Sequence, residues 1–418
     1  MNHITKILFT GIFIILSSGL QAQNTVKSLD ECIQMAINNN LTLKSGRIAI
    51  EKAKAMQGSA FNIGKTNISV SQDPVSGGNP DNSLSVSQSF EFPTVYITRH
   101  SLLKAETDLE RSRLEASINE LVKEIASVYY NLLYARETMR ILQKQDELYS
   151  RFLYLASAKF NSGETNRLEV INAERICGEN KIDLQNVEKD FQNFQLLMQK
   201  WLNTDEQIEP VESELPVIEP VSEANDLDVS QTPINSMYEN LLKASAKKLS
   251  LQKQQFLPEF NFSLRNQLLI KGFNPYGLER ERFDKGNFMG FEAGISIPLF
   301  FGEQLSNAKA AKREMQLLQM QREDALSSLK KEYQLSLGEY RKAKERLDYY
   351  MKTGMQQAEE INRLSQLSYE KGEIGYVEYI QNLKTAIEIH LSYADAVNAY
   401  NQRVITLNFL QGKLGIKN

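Results

Sequence analysis

Residues able to carry out catalysis or to bind a metal are few in this sequence and lie far apart. The 418 residues include three histidines, His3, His100 and His390, and two cysteines, Cys32 and Cys177. There is no Cys-x-x-Cys, His-Glu-x-x-His or glycine-rich phosphate loop, and no serine stands in a Gly-x-Ser-x-Gly turn. The sequence therefore predicts a protein that is not an enzyme and that has no cofactor and no resident metal.

The balance of acidic and basic residues argues against nucleic-acid binding. The sequence has 52 acidic and 48 basic residues, which gives a formal net charge of −4. Nucleic-acid-binding proteins usually concentrate basic residues on one face, so we expect no nucleic-acid partner. Cys32 and Cys177 fall on helices that we predict to lie far apart, so we also expect no disulfide between them.

The carboxylates are more informative, because some of them recur in a repeated segment. Residues 160–171 read FNSGETNRLEVI, and residues 369–380 read YEKGEIGYVEYI. Both begin with an aromatic residue, continue with a Gly-Glu pair and end with a second glutamate among aliphatic residues. Segments 123–137 and 331–345 match in the same way, as do 88–93 and 294–298. This shared order of segments predicts an internal repeat.

The repeat divides the chain into four parts. We predict a first structural repeat at 23–203 and a second at 231–418, each containing a helix, two strands and a long helical hairpin. Residues 204–230 include nine acidic residues, three prolines and no lysine or arginine, a composition typical of a solvated linker and not of a core element. Residues 1–22 place Lys6 before the apolar run 7–16 and end on Ala22, the pattern of a signal peptide.

Hydrophobic spacing predicts the elements of each half. In the first half we expect a helix from 29 to about 60, alternating strands near 66–71 and 83–92, a helix from 97 to about 160, and a return helix at 166–202. In the second half the equivalents are 233–255, 260–268, 289–297, 303 to about 370, and 375–412. Each opening helix should stack end to end with a return helix, so that together they match the long helix.

Four such strands raise a problem of closure. Alternating strands of about ten residues fit tilted transmembrane strands, but a closed barrel needs about eight strands or more. An open sheet in lipid would leave backbone groups without hydrogen bonds. Three copies would supply twelve strands, and their long helices would pack side by side around a hollow. The alternatives are a soluble β-meander for the strands and a soluble coiled-coil rod for the helices.

This ordered set of features resembles the TolC-like outer-membrane efflux proteins. The resemblance extends from Leu29 to about Lys413, and it depends on the two-fold repeat, on Pro93 and Pro298 between strand and helix, and on the two Gly-Glu turns. It implies a mixed, mostly α fold. Three chains, with four strands each, would form a twelve-stranded outer-membrane β-barrel that continues as a long periplasmic α-helical coiled-coil barrel.

The resemblance also implies a function and a set of partners. The chain would be the outer-membrane channel subunit of a tripartite efflux system, a passive exit duct for small molecules or metal ions. Its partners would be the other copies of a homotrimer, a periplasmic adaptor, an inner-membrane transporter reached indirectly, and outer-membrane lipid. The outer-membrane duct of a type I protein or peptide secretion system is the alternative, followed by a secreted coiled-coil structural protein.

The family's functional positions can be carried over to this sequence. The adaptor-docking tips would be Ser162, Gly163, Glu164, Thr165, Lys371, Gly372, Glu373 and Ile374. The family often has acidic residues just past the second turn that constrict the pore, and those positions hold Glu378 and Gln381. Because only the first is acidic, we expect a single ring of three Glu378 carboxylates, which would favour cations. Glu378 could equally be a solvated surface charge, and each glycine an ordinary helix-ending turn.

Overall fold

The protein is described from a computed structural model, which defines residues 24–74, 80–222, 225–268 and 288–413. The predicted signal peptide lies outside these ranges, as does the segment 271–286 between the two predicted strands of the second half. Among the residues that the structure describes, no helix combines the length and apolar character needed to cross a membrane.

The first half consists of a short strand, two short helices, a pair of strands and two long helices. Its elements are β1 (Asn24–Lys27), α1 (Leu29–Asn39), α2 (Leu41–Gln57), β2 (Asn67–Pro74), β3 (Pro80–Phe90), α3 (Pro93–Asn161) and α4 (Arg167–Leu202). A 3₁₀ turn follows α2. Helix α3 has 69 residues, which makes it about 100 Å long at 1.5 Å per residue.

Strand β4 (Gln207–Pro210) lies in the predicted linker. The second half then repeats the order of the first, as predicted, but with one opening helix instead of two. Its elements are α5 (Pro233–Gln254), β5 (Glu259–Leu268), β6 (Phe288–Ser296), α6 (Gly302–Tyr349), α7 (Met355–Glu370) and α8 (Tyr376–Leu410). A π-helical turn at Tyr350–Gly354 joins α6 to α7. The run from Gly302 to Glu370 is as long as α3, because both of its ends lie 209 positions after those of α3.

The π-turn is a difference between the two long helical runs. A Cβ atom at Gly354 would lie 2.7 Å from Cδ1 of Tyr350, which is closer than non-bonded carbon atoms approach. Glycine therefore lets the wide turn close against the Tyr350 ring. The predicted uninterrupted helix over 303–370 is wrong at this turn, whereas the equivalent residues 141–145 of α3 are α-helical.

The predicted single helix from 29 to about 60 is in fact two helices, because Asn40 interrupts it. The Asn40 Oδ1 atom accepts hydrogen bonds from the N–H groups of Thr42 and Leu43, at 2.9 and 3.3 Å, and so caps α2. The Asn40 Nδ2 atom donates to the carbonyl oxygen of Trp201 at 3.0 Å. Asn40 thereby ties the start of α2 to the end of α4.

The short opening helix and the return helix together cover α3, as predicted. Gln57 at the end of α2 donates to Thr107 Oγ1, in the first third of α3, at 2.7 Å. Asn180 of α4 donates to the carbonyl oxygen of Leu142, in the last third of α3, at 3.3 Å. Helices α5 and α8 contact the run α6–α7 in the same way, and both also contact α3.

The four long strands form one antiparallel sheet in the order β2-β3-β5-β6. Its register gives the sheet two unlike faces. Cross-strand neighbours on one face are apolar, including Ile68 with Val86, Val86 with Leu264, and Leu264 with Phe291. This face is open, and Phe291 is 85% exposed.

The opposite face of the sheet is polar. Ser69 and Ser85 share a hydrogen bond of 2.7 Å between their hydroxyl groups. Ser89 donates to Asn261 Oδ1 at 2.7 Å, and Asn261 Nδ2 donates to Ser296 Oγ at 2.6 Å. These hydroxyl and amide groups are satisfied by one another, so the polar face can border water.

Three clusters of buried side chains join the helices. The first lies between α1, α3 and α4, and the second lies between α6 and α8. Their large members include Tyr129, Ile125, Leu132 and Met198 in the first and Tyr333, Tyr340, Tyr400 and Leu407 in the second. The third cluster lies near the turns that end α3 and α7, and it is described below.

The predicted linker differs from expectation, because part of it is packed into the core. Strand β4 pairs in parallel with β1, and Ile208 is fully buried in the first cluster. Tyr129 donates its hydroxyl to the carbonyl oxygen of Lys27 at 3.0 Å and to the Glu212 carboxylate. Burial, reinforced by that carboxylate, raises the pKa of Tyr129. The interpretation of this segment as solvated is therefore wrong for residues 207–210.

The next part of the segment is held by amide side chains on α8. Asn401 accepts a hydrogen bond from the Ile218 N–H at 3.1 Å and donates to the Pro216 carbonyl at 2.7 Å. Two turns further along α8, Asn408 accepts from the Val221 N–H at 3.0 Å. Residues 207–222 thus contact α3 of the first half and α8 of the second. We call these residues the belt.

We predict that the belt contributes substantially to stability. Replacing fully buried Ile208 with alanine should lower the free energy of unfolding by about 2–5 kcal/mol, because it removes buried methyl groups and leaves a cavity. The measurement is denaturant unfolding followed by the helical circular-dichroism signal.

The matched control is Val211→Ala. Val211 follows the same strand but is 56% exposed, so its truncation should change the free energy of unfolding by no more than about 0.5 kcal/mol. Equal effects of the two substitutions would show that the belt is not part of the core.

Candidate functional site

Both predicted turns end a long helix with the same backbone geometry. Gly163 has a φ of 76° and Gly372 has a φ of 73°, a region in which an L side chain is strained. The N–H of the following glutamate donates to the carbonyl five residues back, from Glu164 to Lys159 at 2.9 Å and from Glu373 to Ser368 at 2.8 Å. This is the Schellman arrangement, which satisfies carbonyls at the end of a helix.

The first turn is held by its own side chains. Ser162 Oγ donates to the Lys159 carbonyl and to Glu164 Oε1, each at 3.0 Å. Thr165 donates its hydroxyl to the Glu169 carboxylate. Asn166 then caps α4 by accepting a hydrogen bond from the Glu169 N–H at 3.2 Å. The turn therefore presents a defined polar surface.

The second turn has fewer such bonds. Ser368 Oγ donates to Glu373 Oε2 at 2.9 Å, and Lys371 is exposed. Gly375 is the residue before α8, and having no side chain it leaves the first N–H groups of α8 without a side-chain cap. Ile374 is partly buried. The sequence pattern predicted two equivalent tips, but their hydrogen bonding differs.

The structure brings the two turns to the same end of the molecule. Tyr376, just after the second turn, packs against Phe152 near the end of α3, with ring centroids 5.2 Å apart. The Lys159 ammonium lies 5.9 Å from the centre of the same tyrosine ring. Ile380 and Leu383 of α8 belong to the same buried cluster as Val170 and Ala173 of α4. The tips of the two hairpins are thus packed together.

Tyr376 is also the centre of an aromatic group within the second hairpin. Tyr369 and Tyr379 stack with centroids 4.9 Å apart, and both rings lie near Tyr376. Burial raises the pKa of Tyr376 to about 12. The equivalent positions of the first hairpin are Phe160, Arg167 and Val170, so this aromatic group is particular to the second half.

A groove of about 360 Å³ lies beside the packed tips, between α3, α4 and α8. Its lining combines apolar and polar residues from both hairpins, among them Phe152, Leu168, Glu169, Val377 and Gln381. The groove is open to solvent, and it is continuous with the start of α4 just after the first turn. A helical or extended segment of another protein could contact both hairpins there.

Glu378 and Gln381 lie on the first turns of α8, as predicted, and both are exposed. They are three residues apart and therefore share one side of the helix. Gln381 lines the groove, whereas Glu378 is not among its lining residues. Glu378 lies in the first turn of α8, where a negative charge is favoured by the helix dipole.

Sequence reasoning missed the aromatic contacts that connect the hairpins. Part of the signal was available, because Tyr376 and Tyr379 are three positions apart in the predicted return helix, a spacing that places them on one helix face. Tyr369 lies before the second turn, so its contact with them depends on the fold of the hairpin. The groove had no comparable signal, since it depends on how two hairpins pack.

The structure shows no arrangement suited to a metal or a reactive thiol in its described parts. No group of three or more His, Cys, Asp or Glu residues there could hold a metal ion. Cys32 and Cys177 are both buried and free, and burial raises the pKa of Cys32 to about 12. A thiol in that environment is protonated and unreactive at neutral pH.

Solved structures of similar architecture include outer-membrane channels. The CmeC outer membrane channel of Campylobacter jejuni is 15% identical, with a TM-score of 0.74 over 93% of this chain and 87% of that one. The outer membrane protein VceC from Vibrio cholerae is 14% identical, with a TM-score of 0.73 over 93% and 97%. The open-state MtrE channel of Neisseria gonorrhoeae is 18% identical, with a TM-score of 0.68 over 92% and 88%. At these identities the likeness shows the fold alone.

Comparison of sequences gives the family. No curated protein matches the chain significantly. The model of the family described as "Outer membrane efflux protein" matches residues 62–203 and 238–415, one stretch in each half and more than half of the chain. The chain therefore belongs to the outer membrane efflux protein family.

Proposed function

We propose that this chain is the outer-membrane channel subunit of a tripartite efflux system, and that it forms a passive exit duct for small molecules or metal ions. The observation that carries the proposal is the sheet with one exposed apolar face and one hydrogen-bonded polar face. A transmembrane barrel needs such a sheet, with the apolar side in lipid and the polar side around water.

Three copies would complete the barrel. In the described part of one chain, β2 and β6 are the outer strands of the sheet, and each has one edge without a partner strand. Lipid offers no hydrogen bonds to such edges. Pairing β6 of one copy with β2 of the next would satisfy both edges, and closure after three copies would give twelve strands.

Exposed apolar residues on α4 also favour association between copies of the chain. Leu168, Ile182 and Leu196 of α4 are exposed by about 60% each. They recur every fourteen residues, which is two heptads, so they mark one side of a coiled coil. In a trimer these residues would pack against a neighbouring copy, and the helices would surround a periplasmic tunnel.

The packed tips are the proposed docking site for a periplasmic adaptor. Ser162, Gly163, Glu164 and Thr165, together with Lys371, Gly372, Glu373 and Ile374, would contact it. Their position at the far end of helices about 100 Å long would let the duct meet an adaptor that is held by an inner-membrane transporter. The groove beside the tips offers a second surface to the same partner.

Glu378 is the proposed constriction residue. Three copies would bring three carboxylates around one axis, and such a ring attracts cations and repels anions. Gln381 would contribute a neutral ring one turn further along α8.

The first test is the mass of the protein extracted from outer membranes in mild detergent, with the protein mass determined by light scattering. We expect the mass of three chains. A soluble monomer or dimer would contradict the barrel and would favour the soluble coiled-coil rod.

The docking turn can be tested by making its backbone conformation costly. Gly372→Val should reduce efflux, because a β-branched residue at positive φ costs about 1–2 kcal/mol and so weakens adaptor binding about tenfold. Gly372→Asn should retain most efflux, because asparagine tolerates this conformation. The readout is resistance to toxic compounds in cells that lack the native channel.

Gly338→Val is the control for that experiment. Gly338 lies within α6, and a Cβ atom added there would meet no side chain or neighbouring element within 4 Å. The position is also far from the turns. All three variants should form trimers. If Gly372→Val exported normally, the second turn would not be the docking site.

The constriction can be tested by single-channel recording under a salt gradient. Glu378→Gln should move the reversal potential toward zero, because it removes three carboxylates from the pore without changing side-chain size. Glu373→Gln, an exposed carboxylate of the turn, serves as the control and should leave the potential nearly unchanged. The same reversal potential in the wild type and in Glu378→Gln would remove Glu378 from the constriction.

A further inference from the structure

The passage from strand to helix differs between the two halves. In the first half, two residues separate β3 from α3, whereas in the second half five residues separate β6 from α6. The additional residues include Leu299, Phe300 and Phe301, all bulky and apolar. They are 79%, 91% and 48% exposed. We call residues 299–301 the junction tripeptide.

Such exposure is unusual for a segment with ordered neighbours on both sides. Phe301 stacks on Phe256, which follows α5, with ring centroids 5.9 Å apart. This contact holds the segment against the start of β5 while leaving the Phe300 ring uncovered. Moving a side chain of this size from water to an apolar environment lowers the free energy. The segment is therefore suited to contact an apolar surface outside the chain.

The tripeptide lies at the end of the apolar face of the sheet. Phe291 and Ile295 alternate on that face in β6, and Ile297 continues the alternation beyond the last strand residue. Ile297 is 61% exposed, as strongly as Ile295 before it. The junction tripeptide follows directly, at the level where strands give way to charged helices.

The neighbouring junction shows the same property. Phe61 and Ile63, between α2 and β2, are 64% and 53% exposed. Ile97, in the second turn of α3, is 65% exposed. Exposed bulky residues therefore lie where the sheet meets the helices in both halves. Charged side chains such as Arg99 and Glu303 follow within a few residues.

We propose that the junction tripeptide inserts into the headgroup–acyl boundary of the periplasmic leaflet, as a lipid anchor at the longer strand-to-helix junction of the second half. The proposal rests on the proposed function, because it needs the apolar face of the sheet to be in lipid. Aromatic residues collect at this boundary in membrane barrels. The continuity of the tripeptide with the apolar face favours lipid as its occupant over a second copy of the chain.

Site-specific tryptophan fluorescence tests the proposal in the intact trimer. The sequence contains one tryptophan, Trp201, so Trp201→Phe gives a silent background for new reporters. Phe300→Trp is the test position, and Leu299→Trp replaces it if that variant does not assemble. Each protein is placed in vesicles of phosphatidylethanolamine and phosphatidylglycerol whose acyl chains carry bromine either near the headgroup or near the chain end.

Two further reporters make the outcomes distinguishable. Phe291→Trp lies on the apolar face of the sheet, and Tyr154→Trp, at a 73% exposed position of α3, is far from it. We expect bromine near the headgroup to reduce the Phe300→Trp emission more than bromine near the chain end does, because interfacial aromatic residues sit at the headgroup level. Phe291→Trp should respond at least as strongly to bromine placed deeper, and Tyr154→Trp should not respond.

Quenching of Phe291→Trp without quenching of Phe300→Trp would overturn the anchor but leave the proposed barrel intact. In that case a blue-shifted emission at Phe300→Trp would indicate burial against a second copy, and an emission like that of Tyr154→Trp would indicate water. If neither Phe291→Trp nor Phe300→Trp were quenched, the proposed function itself would fail and the anchor with it.

Discussion

The unpaired edges of the four-stranded sheet limit the environments in which the chain can be stable. Its apolar face is unfavourable in water, and its free backbone groups are unfavourable in lipid. Among the described residues β2 and β6 each have a single neighbour, so these strands alone do not satisfy both requirements. The proposed association with further copies would satisfy both at once. The equal lengths of the two long helical runs follow naturally, since both must extend from the same sheet to the same distant end.

Holding two hairpins of this length in register requires contacts well away from the sheet. The belt supplies them near the middle, where Tyr129 and Asn401 hold the same segment from different halves. Tyr376, the first residue of α8, supplies them at the tips, where it packs against Phe152 of α3. Both contacts use polar or aromatic groups with defined geometry. They therefore fix the position of one helix along another, which a uniform apolar stripe would do less well.

Most of the fold could be predicted from the sequence, because strand alternation and helical spacing are local signals. The prediction failed where a distant residue decides the local structure. Asn40 divides the opening helix with the help of the Trp201 carbonyl, which lies 161 positions away in the sequence. The acidic composition of the belt predicted a solvated segment, yet Ile208 is buried in the core. At the tips, the glycines and glutamates were identified from the repeat, but the groove depends on tertiary packing.

The two halves are alike in the sheet and differ at the tips and at the strand-to-helix junctions. In the proposed barrel the two halves of the sheet would be nearly equivalent, since the same strand spacing would continue around it. The tips and the strand-to-helix junctions are under no such requirement, and there the halves diverge. Among the described residues, only the second half has the tyrosine group, the uncapped start of α8, the exposed Glu378 and the junction tripeptide. The repeat is thus kept where the proposed closure would require it, and the two halves carry distinct surfaces elsewhere.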